Sequence, residues 1–257
     1  MMDKEFYSRL KPPLPSQHRP LLWLCIASLL LIQPVIVTVY SWSIDGFRRV
    51  PIPHQYHFEK KSLLVDLNDD GIEEKALLED GHAFLRQGAE NLWGSPVTWE
   101  VLDIQISDMN RDGRKELVLL VHRPYEPLPI DRYMPNPGPS STFKDKRGYT
   151  SHIILIGYRK NSFREAWAGS AMARPMMKIL AEDIDGDGFD ELLGIEWDQN
   201  DGINKPYAVS VWYWKGFNFS LMERKKFKFL QQVDTIEDHE RALILISGWE
   251  ENDEKRD

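Results

Sequence analysis

Asp66-Leu67-Asn68-Asp69-Asp70-Gly71-Ile72-Glu73-Glu74 returns twice more in this chain, without gaps. The second copy is Asp108-Met109-Asn110-Arg111-Asp112-Gly113-Arg114-Lys115-Glu116, and the third is Asp183-Ile184-Asp185-Gly186-Asp187-Gly188-Phe189-Asp190-Glu191. Each places an oxygen-bearing side chain at positions 1, 3, 5 and 9 and a glycine at position 6. Hard cations such as calcium take six to eight oxygen ligands in a flexible shell. Alternate positions of a tight loop aim carboxylates at one point, and glycine supplies the positive-φ turn. One such string would be ordinary Asp/Asn/Gly turn chemistry. Three in register argue for up to three Ca2+ sites. Their side-chain ligands are Asp66, Asn68, Asp70 and Glu74; Asp108, Asn110, Asp112 and Glu116; Asp183, Asp185, Asp187 and Glu191. Ile72, Arg114 and Phe189 at position 7 would contribute main-chain carbonyls.

The residues around the loops decide the fold. An EF-hand would close with glutamate at position 12, where this chain has Leu77, Leu119 and Gly194, and its flanks would be helical. Instead KSLLVD, EVLDIQISD and MKILAED precede the loops, and KALLE, LVLLV and LLGIEW follow them. Short leucine and β-branched runs bounded by Asp-Gly signals read as strand–turn–strand hairpins. A second hairpin continues the pattern: 152–158 with 163–169 around Lys160-Asn161-Ser162, and 208–214 with 219–225 around Lys215-Gly216-Phe217. Four strands per unit is the blade of a propeller. A fourth unit starts at 227–233 and runs into 241–246, with Val233, Thr235 and Arg241 where the other loops have oxygens.

These loops resemble the FG-GAP, or VCBS-type, calcium-binding repeats of integrin α-subunit propellers and bacterial surface proteins. The resemblance covers about residues 58–246, and its three loops are its sharp motif. It implies an all-β, propeller-like array of about four four-stranded blades, with each loop joining the first two strands of its blade. Residues 40–47 and 55–61 read as the third and fourth strands of blade four, so that both chain ends complete it. An open or oligomer-completed array is the alternative.

Upstream, residues 21–41 begin LLWLCIASLLLIQPVIVTVY, with no charge between Arg19 and Asp45. Roughly 20 apolar residues at about 1.5 Å each cross a hydrocarbon core of about 30 Å, so this segment reads as one transmembrane helix acting as a signal anchor. The alternative is a signal peptide cut near Ser41-Trp42-Ser43, giving a secreted domain. Leu24 before Cys25 is too large for lipoprotein processing. The tail 1–20 carries Lys4, Arg9, Lys11 and Arg19 against Asp3 and Glu5, a net +2 in a chain of −8. The positive-inside bias then leaves that tail in the cytoplasm and residues 42–250 outside it, followed by a charged tail at 251–257.

Composition excludes several classes. The net charge of −8 lacks the basic footprint of nucleic-acid binding, and the single cysteine rules out a disulfide framework. There is no Gly-x-Ser-x-Gly elbow, phosphate-binding glycine loop or His-Glu-x-x-His pair. His54-x-x-His57 reads as surface, and Trp93, Trp99, Trp197 and Trp249 read as core or as sugar-stacking platforms. The insertion 122–150 holds six prolines between Pro124 and Pro139, with Tyr125 and Tyr133, and is either a partner-binding loop or a solvent loop. The expected role is a membrane-anchored, calcium-stiffened binding, adhesion or scaffolding module for a protein or glycan. A propeller enzyme, a hydrolase or lyase with its site at the central axis, is the alternative. Ligand charge ranks the loops as three, then one, then two, because Arg111, Arg114 and Lys115 surround the second.

Overall fold

The computed structural model describes residues 36–53, 57–58, 63–125, 144–197, 206–238 and 241–250. The stretches 1–20 and 21–35, the centre of the Pro-rich insertion and the tail 251–257 lie outside them. Among the described residues the protein is all-β, and no helix is long and apolar enough to cross a membrane.

Three antiparallel sheets make up the fold. The first is a meander of β4 (Leu64–Val65), β5 (Glu74–Glu79), β6 (His82–Gln87) and β7 (Glu90–Gly94). The second is a meander of β8 (Glu100–Ser107), β9 (Glu116–Pro124), β10 (Tyr149–Arg159) and β11 (Ser162–Ala168). The third runs β12 (Met176–Glu182), β13 (Glu191–Trp197), β14 (Pro206–Trp214), β15 (Phe219–Asp238), β16 (Arg241–Glu250), β1 (Val37–Ser41) and β2 (Arg48–Val50), with β3 (His57–Phe58) also paired to β15. Two-residue turns close the tight hairpins: Asp80-Gly81 at φ 49° and 77°, and Lys160-Asn161 at φ 52° and 62°. Positive φ at both central positions matches the right-handed twist of the flanking strands.

Strand β15 explains why the third sheet has eight strands. Its first part, Phe219 to Lys226, pairs with β14, and its second, Phe227 to Asp238, pairs with β16. The two strands read from sequence at 219–225 and 227–233 are therefore one. Register shifts at Phe227/Phe229 and Leu230/Gln232 bend it as it passes from one partner to the other. Apart from β3, the seven strands of this sheet thus form two four-stranded meanders that share β15. Val233 and Thr235 lie inside this continuous strand and are buried, so positions 1 and 3 of the fourth unit's expected loop are strand residues.

Alternation on the strands builds the core. On β9, Leu117, Leu119 and Val121 pack with Ala76, Leu85 and Trp99 toward the first sheet, while Val118 and Leu120 pack with Met176, Ile179 and Leu192 of the third. Successive side chains of a strand point to opposite faces, so a strand covered on both sides reads as a continuous apolar run. The other face of β12 and β13, through Leu180, Leu193 and Ile195, packs on Tyr40, Trp42, Val233 and Ile244. Val39, Ile236, Leu243 and Leu245 form a separate small cluster that includes no residue of the first sheet.

The amino-terminal end corrects the sequence reading in two places. The predicted membrane helix 21–41 ends too late, because Val37–Ser41 are strand β1, paired with β16 at Val37↔Ser247 through Tyr40↔Ile244. Ile36 begins the compact unit, so the predicted domain start at residue 42 also moves earlier. Pro34 cannot donate a helical hydrogen bond, and the Val-Thr-Val that follows favours a strand. The third strand of the last unit is β1 rather than 40–47, since Ile44-Asp45 is a turn closed by Gly46, at φ 100°, whose N–H bonds the Ser43 carbonyl at 2.8 Å. The fourth strand is β2, paired to β1, whereas the described residues of the predicted fourth strand 55–61 are β3, which pairs with β15.

Candidate metal centre

All three acidic loops occupy the same place. Each follows the first strand of its unit (β4, β8 or β12), and each ends on the first residue of the next strand, Glu74, Glu116 or Glu191. Their hydrogen bonds repeat as well. The N–H at position 5 donates to the carboxylate at position 1: Asp70 to Asp66 at 3.2 Å, Asp112 to Asp108 at 2.9 Å, Asp187 to Asp183 at 3.2 Å. The same N–H also donates to the position 3 oxygen, at 2.8 Å to Asn68, 3.0 Å to Asn110 and 3.1 Å to Asp185. The glycine N–H at position 6 donates to the other oxygen of position 1, at 2.8, 2.9 and 2.8 Å. The N–H of Ile72, Arg114 or Phe189 at position 7 donates to the position 5 carboxylate at 2.8, 3.1 and 2.9 Å. The exposed side chains of these three residues leave only their main chain facing the loop.

Two positions per loop are left-handed, where the sequence marks one. Gly71, Gly113 and Gly188 have φ 85°, 87° and 86° at position 6, but position 4 is left-handed too: Asp69 at 62°, Arg111 at 60° and Gly186 at 81°. Only the third loop has glycine at both, so only there is neither position strained.

The closing glutamates have no exposed surface. Oε2 accepts the position 2 N–H in two loops, Leu67 to Glu74 at 2.7 Å and Ile184 to Glu191 at 3.2 Å. Burial, and then the carboxylates of Asp185 and Asp187, push Glu191 up to about 8. Burial and Asp112 push Glu116 up to about 7, and burial with Asp70 and Asp66 raises Glu74. A cation beside such a carboxylate offsets both causes, and a bound metal ion is one cation that does so. Ligand atoms of Asp66, Asp70 and Glu74 lie within 4.8 Å of one another, as do those of Asp183, Asp185 and Glu191, so both groups can hold a metal ion. Among the described residues, Asp108, Asp112 and Glu116 form no such group.

The difference comes from the third strand of each unit, which sequence reasoning missed. One step beyond the pairings Lys75↔Arg86, Leu117↔Ile156 and Leu192↔Trp212, the residues opposite the closing glutamates are Gln87, Gly157 and Tyr213. Gln87 donates its amide to Asp70 at 3.1 Å, and the Tyr213 hydroxyl donates to Asp185. In the second loop the guanidinium of Arg159 enters instead, 2.6 Å from Asp112 and 3.0 Å from Glu116. Aligning 82–88, 152–160 and 208–215 on their turns sets Gln87 beside Arg159, but only the strand register brings Gly157 and Tyr213 opposite the glutamates.

Arg111 does not act on its own loop. Its guanidinium lies 3.1 Å from Glu191 and 3.4 Å from Asp187 of the third loop and packs over the Phe189 ring at 4.6 Å. Ser107 Oγ–H adds a second tie between these loops, donating to Asp190 at 2.6 Å. The predicted order of three, one, two therefore needs revision: among the described residues loop one is the one without a guanidinium against its carboxylates, and loop three loses part of its charge advantage to Arg111.

Among the described residues, two cavities lie elsewhere. One, of about 790 Å³, sits where β5, β8, β12 and the second part of β15 converge. Its acids are already engaged: Asp103 accepts the Ile179 N–H at 2.9 Å, Asp234 lies 3.4 Å from Lys178, and Glu182 accepts from Thr235 at 3.1 Å. The other, about 390 Å³, is bordered by His122, Asp145, Arg147 and Trp197. His122 Nε2 lies 2.6 Å from the Oγ of Ser151, which is wholly buried and accepts the Met176 N–H at 2.9 Å, and this is a packing role. Of the predicted tryptophan platforms, Trp99 is core, Trp93 packs beside it, and Trp249 tilts against Phe229 at 5.1 Å. Trp197 stacks on His122 at 6.1 Å. The side chains of His54 and His57 lie outside the described residues.

No protein-family profile matches the chain, and no curated protein matches it in sequence.

Proposed function

We propose that residues 36–250 are a calcium-binding, propeller-type repeat domain of the FG-GAP/VCBS kind. It is membrane-anchored, and it serves outside the cytoplasm as a binding, adhesion or scaffolding module for a protein or glycan. The observation that carries this reading is the threefold repetition of one hydrogen-bonded loop, each copy ending on a wholly buried glutamate. Asx-type bonds hold the backbone in place, so the carboxylates are gathered before any ion arrives. Loop one would bind through Asp66, Asn68, Asp70 and Glu74, and loop three through Asp183, Asp185, Asp187 and Glu191. A bound calcium would neutralise the buried glutamate and tie the first two strands of its unit together.

The array of units supports four blades: two meanders, and two more that share β15. The cavity of about 790 Å³ lies on the strands that would line the axis. For the anchor, strand β1 leaves residues 20–36 as the uncharged stretch. That stretch is at the lower limit of about 17 residues for a span. Cleavage near Ser41-Trp42-Ser43 would remove β1 from its sheet, which favours retention of the segment.

Calorimetric titration with calcium tests the reading. Saturable binding is expected, with dissociation constants on the order of 10⁻⁴ to 10⁻³ M as in extracellular modules. It is expected to vanish in the double variant Asp66→Ala/Asp183→Ala. Undiminished binding in that variant would place the metal elsewhere.

A further inference from the structure

We infer that loop two carries its own cation, the guanidinium of Arg159, and that the protein accordingly takes calcium at loops one and three only. The inference rests on the calcium reading above, and it narrows it. Three observations converge. Arg159, the last residue of β10, forms ion pairs with two of the three carboxylates of the loop, Asp112 at 2.6 Å and Glu116 at 3.0 Å. These are the same two oxygens that the Asn110 amide approaches at 3.2 and 3.0 Å, so the guanidinium sits inside the ligand set, not beside it. Space for it is built in. Gly157 stands opposite Glu116, and a Cβ there would lie 3.3 Å from Arg159 Nη1 and 3.2 Å from Glu116 Cγ. The other two loops have Gln87 and Tyr213 at the matching position, and neither carries a charge.

Charge counting separates the loops in the same way. Loop one keeps three carboxylates, with no guanidinium among its partners in the described residues. Loop three has four, Asp183, Asp185, Asp187 and Glu191, less the one charge of Arg111. Loop two has three, Asp108, Asp112 and Glu116, less the one charge of Arg159. The two loops left with −3 are the two whose ligand atoms converge within 4.8 Å. Arg111 reaches the same two positions of loop three, Asp187 and Glu191, but at the longer distances of 3.4 and 3.1 Å, and the additional carboxylate of Asp185, where loop two has Asn110, keeps loop three at −3. Displacing Arg159 would instead strip the cation whose Nη2 bridges a carboxylate pair, one of them a wholly buried glutamate, a costly exchange for a site of ordinary affinity.

The test counts bound calcium per chain by equilibrium dialysis with metal analysis, on the full-length wild type and on Arg159→Gln. Wild type is expected to bind two ions and Arg159→Gln three. Arg159→Lys, which keeps a cation on the strand, is expected to stay at two. If Arg159→Gln does not fold, Gly157→Gln serves instead, because it puts the side chain of loop one opposite Glu116 and pushes the guanidinium out. Three ions in wild type, or no gain in the folded variant, would overturn the inference. Wild type binding none would overturn the calcium reading, and the variant would still decide this one: a gain of one ion supports it, and no gain rejects it.

Discussion

Trp42→Ala tests the part of the fold that depends on both ends of the chain. Trp42 follows β1, is 1% exposed, and packs in the cluster formed by Tyr40, Val211, Phe227 and Ile244. Its indole N–H donates to Glu223 at 3.1 Å, and its ring centroid lies 5.3 Å from that of Tyr213. Truncation would leave a cavity costing roughly 3–5 kcal/mol. Glu223 would lose one donor but keep the Phe47 N–H at 3.1 Å, which adds about 1 kcal/mol. A total of roughly 4–6 kcal/mol is a large share of the 5–15 kcal/mol by which a domain is stable. With a urea m-value of about 2–3 kcal/mol/M, the unfolding midpoint should fall by about 2 M. Trp42→Phe, which keeps most of the ring, should cost about 2 kcal/mol. A Trp42→Ala midpoint within about 0.3 M of wild type, well inside that shift, would refute the reasoning. Residues 36–50 would then be an appendage, not the third and fourth strands of the last unit.

Other perturbations probe separate features. His152 is buried; its Nδ1–H donates to the Gly169 carbonyl at 3.1 Å and its Nε2 accepts from Thr150 at 2.8 Å, and burial pushes its pKa down to about 4. The unfolded chain takes up this proton near 6.5 and the folded one does not. Stability is therefore full above that pH and is lost as pH falls toward 4.5, by about 2–3 kcal/mol. His152→Asn should shrink the difference in unfolding free energy between pH 7 and 4.5 by that amount. Arg224 pairs with wholly buried Glu196 at 2.7 and 2.9 Å, so Arg224→Met should cost roughly 3–5 kcal/mol in urea unfolding. Adding Glu196→Gln should restore part of it. Gly71→Ala meets no atom within 4 Å but sits at φ 85°, so its cost is backbone strain alone, about 1–2 kcal/mol in thermal unfolding.

Much of the site was legible in sequence because the acidic loops depend on local spacing. Oxygens at alternate positions, glycine at position 6 and strand-like flanks are all short-range signals, and the closing glutamates do begin strands. The partners that set each loop apart were not legible, because pairing brings them in from far along the chain. Arg159 lies 43 residues from Glu116, and Arg111 lies 80 from Glu191. Counting charges along the sequence assigned Arg111 to the loop it belongs to, but its side chain neutralises the next one. The amino end misled for a different reason. Val37 to Tyr40 are apolar enough to extend a membrane segment and equally apt for a buried strand, and only the exposed edge of β16 decides between them. Likewise, 219–225 and 227–233 look like two strands because a strand that changes partner midway keeps one apolar pattern for each.

The central claim is that the acidic loops bind calcium and are stiffened by it, and thermal unfolding in calcium against EGTA tests it most directly. With two sites, dissociation constants on the order of 10⁻⁴ M and about 1 mM calcium, mass action contributes roughly 1.4 kcal/mol per site. For a domain of this size, each kcal/mol moves the melting temperature by about 2–4 °C, so calcium should raise it by roughly 6–11 °C. The rise should continue with the logarithm of calcium concentration and shrink by about half in Asp66→Ala. A melting temperature that stays the same in EGTA and in millimolar calcium would contradict the account.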